Sequence, residues 1–358
     1  MDPNPVPGAG EVRQEDAFDV PAVAAWLRKQ DLEPALDADL QGDPAVQQFS
    51  GGASNLTYLL RYPGRDLILR RPPAGQKARG AHDMRREHTI QSRLRPVYPY
   101  VPRMVALCDD ESVVGSEFYV MERLEGTILG RDLPPGTALS EEQVRRLCTG
   151  VLDRLVELHS VDAEGAGLGD LGKGRGYVGR QVAGWSERFR RARTDDVGDF
   201  EEVIAWLDAH QPEDVGSCVI HNDYRFDNVV LDDDLEVVGV LDWEMATLGD
   251  PLMDLGGALA YWVQADDDEV FAQFRRQPTH LPGMLTRDEV VAYYTERMGL
   301  SVTPAQWTFY EVFGLFRLAV IAQQIYYRYH HGQTTNEAFA IFLHAVRYLE
   351  QRCRERIA

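Results

Sequence analysis

The spacing of apolar residues changes once along the chain, near Leu124, and that change limits what the chain can fold into. Before it, apolar residues come in short runs punctuated by glycine and proline. Phe49 leads into Ser-Gly-Gly-Ala-Ser-Asn, Leu56 to Tyr62 reads as a returning strand, and Asp66 to Arg71 as another ahead of Pro72-Pro73. Glu117 to Arg123 (EFYVMER) supplies one more strand, and a helical stretch runs from about Asp83 to Arg95. A short amphipathic helix is expected at 19–30, with Val20, Val23, Ala24 and Leu27 on one face. After Leu124 the period becomes helical. Ser140 and Gln143 form a capping box that opens a helix striped by Val144, Leu147, Val151, Leu155 and Leu158. Further helices are predicted at about 179–193, 199–210, 250–262, 287–299, 304–330 and 336–356, with a short β-rich block from Cys218 to Trp243. The expected fold class is α+β in two lobes. Residues 19–123 would form a small antiparallel sheet with one main helix, and 124–358 a larger, mostly helical lobe. Residues 1–18, rich in Pro, Gly and acidic side chains, read as a loose tail.

A length of 358 residues accommodates two cores at roughly 100–200 residues per domain. The N-terminus lacks the basic start and apolar run of a secretory signal. Val312 to Ile325, the most apolar late segment, is broken by Arg317 and falls short of the roughly 20 residues that span a bilayer. A soluble, cytoplasmic chain with no membrane partner is expected. Cys108, Cys148, Cys218 and Cys353 are too dispersed for a disulfide framework or a zinc site. The net charge of −20 argues against a general nucleic-acid binder. Arg61 to Arg103 departs from that balance, with eleven Lys and Arg against three Asp and Glu, and reads as a solvated basic face or a surface that meets phosphate.

Chemistry concentrates in His221-Asn-Asp-Tyr-Arg-Phe-Asp-Asn228. The spacing H-x-D-x-x-x-x-N matches a kinase catalytic loop, in which an aspartate receives the acceptor hydroxyl's proton and an asparagine holds metal. Apolar Val219-Ile220 and Val229-Val230-Leu231 flank it as strands, and with thirteen residues intervening after Asn228 a third strand ends in Asp242. Phosphoryl transfer demands charge neutralisation and alignment, and Mg²⁺ takes hard oxygen ligands. Asp223 is therefore the candidate base, Asn228 and Asp242 the candidate Mg²⁺ ligands, and His221 a brace for the loop. On the nucleotide side, Gly51, Gly52, Ser54 and Asn55 sit in a turn able to fold backbone N–H groups over the phosphates of ATP. Arg70 occupies the place of a phosphate-gripping strand lysine, on the same strand face as Ile68, and Glu87 in the following helix is its candidate partner. Arginine there departs from the usual lysine, with a planar fork in place of a point charge.

SGGASNLTYLL, LILRRPP, the MRREH helix, EFYVMERLEG, HNDYRFDNVVL and VLDWEMATLGDPLMDL occur in an order that resembles the aminoglycoside phosphotransferase and choline kinase superfamily over nearly the whole chain. The resemblance is greatest to the branch related to the kinase-like domain fused to acyl-CoA dehydrogenases. It implies a protein-kinase-like fold and ATP as cofactor. It also implies that Glu122 and Arg123 supply backbone groups to the adenine side, and that Asp254 is a structural aspartate steadying the catalytic loop. Asn222 stands where many members carry glycine.

Only seven residues separate Asp242 from Asp250, with no APE motif, so no platform for a peptide substrate is expected. The reading is an ATP- and Mg²⁺-dependent phosphotransferase acting on a hydroxyl of a small molecule, either a hydroxyacyl-type metabolite or an aminoglycoside-like compound. The alternative is a nucleotide-binding pseudokinase with a regulatory role. A metal-dependent hydrolase would need ligand spacing that His159, His210 and His221 do not show.

Overall fold

The computed structural model describes residues 6–49, 55–73 and 83–358, which divide into two compact units. The first comprises the chain up to Glu125 together with Gly239–Glu244. The second comprises Gly126–Val238 and Met245–Ala358.

The first unit is built on a six-stranded antiparallel sheet ordered β1-β2-β3-β4-β6-β5. Its strands are β1 (Ala9–Gly10), β2 (Ala45–Phe49), β3 (Leu56–Arg61), β4 (Asp66–Arg71), β5 (Met104–Cys108) and β6 (Phe118–Glu122). Period-2 alternation splits β4 between two cores. Leu67 and Leu69 pack with Leu60, Val120 and Phe118, joined by Val23 and Leu27 of helix α1 (Val20–Leu27) and Leu36 and Leu40 in and just beyond α2 (Pro34–Asp39). Ile68 points to the other face, with Leu59, Tyr119, Met121 and Met84 of α3 (Met84–Leu94). Arg70 shares that second face. Asp83 caps α3 by accepting from the Arg86 N–H.

Two first-unit expectations need correction. From residue 6 onward the N-terminal segment is tied down. β1 pairs with β2, and buried Asp16 accepts from Arg13 and from Gln48 while its carbonyl accepts from Tyr58 and Arg71. Arg71 lies against the Phe18 and Tyr58 rings, so this arginine is spent on the segment read as loose. Residues 239–244, expected in the helical lobe, group with the first unit, where the Val240 N–H donates to the Tyr100 carbonyl and buried Trp243 packs on Tyr98.

The second unit is mostly helical, with α4 (Glu141–His159), α5 (Tyr177–Ala192), α6 (Glu201–Ala209), α7 (Pro251–Leu259), α8 (Glu269–Gln273), α9 (Arg287–Met298), α10 (Pro304–His330) and α11 (Phe342–Ile357). The Ser140–Gln143 capping box opens α4, and Thr303 with Gln306 opens α10 in the same way. α10 passes so close to α7 that a Cβ at Gly314 would sit 2.2 Å from the Gly256 carbonyl oxygen, which restricts both positions to glycine. The β-rich block resolves into β7 (Cys218–Ile220), β8 (Val229–Leu231), β9 (Val237–Val240, whose last two residues group with the first unit) and β10 (Thr247–Gly249), with β7 paired to β10 and β8 to β9. Gly126 adopts φ +146°, and a side chain there would collide with the Leu231 carbonyl. All four cysteines are free and buried. No helix among the described residues is long and apolar enough to cross a membrane. Trp262, Phe313 and Tyr326 are core residues, with the Trp262 indole donating to the Leu285 carbonyl.

Candidate active site

In the second unit, the His221–Asn228 loop leaves β7 and enters β8 through a short 3-10 turn at Phe226–Asn228. Backbone contacts fasten its start. The His221 N–H donates to Asp254 Oδ2 and the Asn222 N–H to Asp254 Oδ1, each at 2.8 Å. Asp254 is buried in α7, where His159 Nε2 lies 3.1 Å from Oδ2, and His159 Nδ1 in turn meets the Tyr294 hydroxyl. Burial alone would raise the Asp254 pKa, but the His159 hydrogen bond, charge interactions with His159 and His221, and the His221 N–H carry it below the usual carboxylate range. Asn222 has φ +66°, a left-handed conformation that asparagine tolerates better than most side chains. Glycine would suit the same conformation. Its carbonyl accepts from Arg317, its Oδ1 from the Tyr177 hydroxyl, and its Nδ2 donates to the Met245 carbonyl.

Asp223 is partly exposed. Its N–H donates to His221 Nδ1, and its Oδ2 accepts from Arg225 at 3.0 Å and from Asn228 Nδ2 at 3.2 Å. Asn228 Nδ2 also donates to the Asp223 carbonyl at 2.8 Å. With its nitrogen committed, the amide offers its oxygen, the hard donor a Mg²⁺ ligand needs. Arg225 lies 4.6 Å over the Tyr261 ring and 3.4 Å from Asp227. Burial works against its charge, yet Asp223, Asp227 and Tyr261 hold its pKa above the usual arginine value. Sequence reasoning left Arg225 aside although it lies inside the motif; a cation two residues from the candidate base was the available signal.

In the first unit, Arg70 is the hub. It donates to Asp242 Oδ1 at 3.0 Å and lies 3.6 Å from Glu87 Oε2. Burial opposes its charge, but Tyr119, Glu87 and Asp242 raise its pKa beyond the ordinary arginine range. Both Glu87 oxygens take neutral donors, Asn55 Nδ2 on Oε1 at 2.9 Å and the Tyr119 hydroxyl on Oε2 at 2.8 Å. Burial raises the Glu87 pKa, and Arg70, Tyr119 and Asn55 only partly offset it. Tyr119 stands directly opposite Arg70 in the β4–β6 ladder, so the same alternation that placed Arg70 would have placed it once those strands were paired. Asp242, like Asn222, sits at φ +66°. Its side chain is 35% exposed and holds Arg70 through one oxygen, which leaves carboxylate surface suited to a hard cation. Among the described residues no group of three or more His, Cys, Asp or Glu could hold a metal ion.

Gly51, Gly52 and Ser54 of the nucleotide-side turn lie outside the described residues. Asn55, described, turns its side chain inward and is 3% exposed. Glu122 closes β6 opposite Leu67, and Arg123 pairs with Asp66 at 3.2 Å.

Residues 45–290 match the phosphotransferase enzyme family APH. The chain belongs to that family. Among its relatives, mouse acyl-CoA dehydrogenase family member 10 is 33% identical over 333 residues, covering 92% of this chain and 30% of the relative. Chicken acyl-CoA dehydrogenase family member 11 is 31% identical over 351 residues, covering 97% of this chain and 44% of the relative. The chain thus spans less than half the length of these relatives. A solved structure of a candidate aminoglycoside phosphotransferase from Ralstonia eutropha superposes with a TM-score of 0.79 at 28% identity, covering 95% of this chain and 98% of that one. Choline kinase from Cryptosporidium parvum shares the fold, with a TM-score of 0.63 at 10% identity and 95% of both chains covered. The family and the protein-kinase-like fold expected from the motifs are both borne out.

Proposed function

We propose that this phosphotransferase-family chain is a cytoplasmic kinase that uses ATP and Mg²⁺ to phosphorylate a hydroxyl of a small molecule. Asp223 accepts the hydroxyl proton as the new O–P bond forms and the bond from the γ-phosphorus to the β-bridging oxygen breaks. Asn228 and Asp242 hold Mg²⁺, which supplies charge neutralisation for the transferring group. Arg70, backed by Glu87, grips the α- and β-phosphates. Gly51, Gly52 and Ser54 cover the phosphates, and backbone groups at Glu122 and Arg123 meet the adenine. His221 and Asp254 keep the loop in shape.

The observation that supports this reading is the commitment of the Asn228 amide nitrogen to Asp223, which leaves the amide oxygen as the group available to a cation. The acceptor is of hydroxyacyl type. The names of the relatives at 31–33% identity support that class, since both are acyl-CoA dehydrogenase family members. An aminoglycoside-like acceptor is the second reading, favoured by the Ralstonia structure at 28% identity.

A metabolite-extract screen with γ-labelled ATP tests the proposal. Wild-type protein should transfer label to a small hydroxylated compound, and Asp242→Ala should not. Nucleotide binding with no transfer to any hydroxyl compound would favour a pseudokinase with a regulatory role.

A further inference from the structure

Three features of the first unit concern the segment that carries Asp242. Trp243 is fully buried and its indole donates to the Val240 carbonyl at 2.8 Å. Glu244 is held twice, its carbonyl accepting from Arg86 at 3.1 Å and its Oε2 accepting from Asn55 Nδ2 at 3.1 Å. The same Asn55 nitrogen donates to Glu87 Oε1 at 2.9 Å. A primary amide carries two N–H bonds, so one asparagine serves one carboxylate with each hydrogen. Asn55 thus links a carboxylate of α3 to the one two residues beyond Asp242.

We propose that Asn55 is a positioning residue that fixes Asp242 for metal binding by tying Glu244 to Glu87. The proposal rests on the phosphoryl-transfer reading above. Asp242 lies in a left-handed backbone conformation, which persists only where its surroundings hold it. Arg70 holds its side chain, Trp243 anchors the next residue, and Asn55 with Arg86 fixes the residue after that. Asn55, like Arg70, also reaches Glu87 of α3. It therefore couples the placement of Asp242 to the carboxylate that stands behind Arg70. Its side chain, 3% exposed and committed to two carboxylates, is built for this and not for touching nucleotide.

The test is Mn²⁺ binding by the full chain in the presence of a non-hydrolysable ATP analogue, followed by electron paramagnetic resonance, with thermal unfolding of each variant alongside. Asn55→Ala and Glu244→Ala should each weaken Mn²⁺ binding about 10–100-fold, the range for partners that orient metal ligands. The double variant should be no weaker than the worse single one, because both remove the same tether. Glu244→Gln keeps an oxygen acceptor for Asn55 and should bind Mn²⁺ nearly as the wild type does, which keeps the question decidable if Asn55→Ala does not fold. Equal affinity for Glu244→Ala and Glu244→Gln would overturn the proposal, as would wild-type affinity in a folded Asn55→Ala. Failure of the wild-type protein to bind Mn²⁺ with nucleotide would overturn the phosphoryl-transfer reading as well, which separates the two failures.

Discussion

The two acidic residues most closely tied to the proposed chemistry are held in opposite ways. Asp223 belongs to a loop fastened through its backbone, by two N–H groups on Asp254, which is itself buried against His159. Asp242 belongs to a segment fastened largely through side chains, by the Arg70 guanidinium and the Asn55 amide on Glu244. Backbone anchoring fixes loop geometry whatever side chains the loop carries, so base and ligand can be altered without unfolding it. Arg70 holds Asp242 through one oxygen, and the rest of this partly exposed carboxylate keeps surface open to a cation. The contrast is between an anchor made of backbone hydrogen bonds and one made of side chains.

The largest effect isolates chemistry from scaffold. Asp223→Asn should lower label transfer from ATP about 10²–10⁴-fold, with a melting temperature close to that of the wild type. A large drop in melting temperature would instead place Asp223 in the scaffold. The next effect compares the anchors themselves. Asp254→Asn removes charge from a buried acceptor of two backbone N–H groups and should cost about 3 kcal/mol in urea unfolding, since hydrogen bonds to charged groups contribute about 1.5–3 kcal/mol each. Asp242→Asn should cost no more than about 1 kcal/mol, as expected of a partly exposed ion pair. Equal costs would break the comparison.

The smallest effect tests burial through pH. Asp250 caps α7, accepts from the Leu252, Met253 and Val215 N–H groups, and is pushed up to about 6 by burial. The folded state therefore binds a proton that the unfolded state releases down to a pKa near 3.8. Its contribution to stability grows as pH falls from 7 through 6, by about 1 kcal/mol between pH 7 and 5. The difference between wild type and Asp250→Asn across that interval measures it, and a pH-independent difference would contradict the assignment.

Much of this was legible in the sequence because it is local. The catalytic loop is one continuous stretch, the α4 capping box spans four residues, and strand alternation alone set Ile68 and Arg70 on one face. What was missed is non-local or ambiguous in period. β5 (MVALC) is a short continuous apolar run that periodicity cannot assign, and β1 is only two residues long. The support behind the loop joins His159 of α4, Asp254 of α7 and Tyr294 of α9, which lie 95 and 135 residues apart from one another in their two contacts. The inward turn of Asn55 depends on Glu244, 189 residues later. No local pattern carries such pairings, because tertiary packing selects them.

The proposal that Asn228 and Asp242 serve one ion can be checked by titrating Mn²⁺ into nucleotide-loaded wild type, Asn228→Ala, Asp242→Ala and the double variant. Each single change should weaken binding at least about tenfold, and the double change should cost less than the product of the two, as for groups sharing one partner. Single variants that bind Mn²⁺ as the wild type does, or losses that simply multiply, would contradict it.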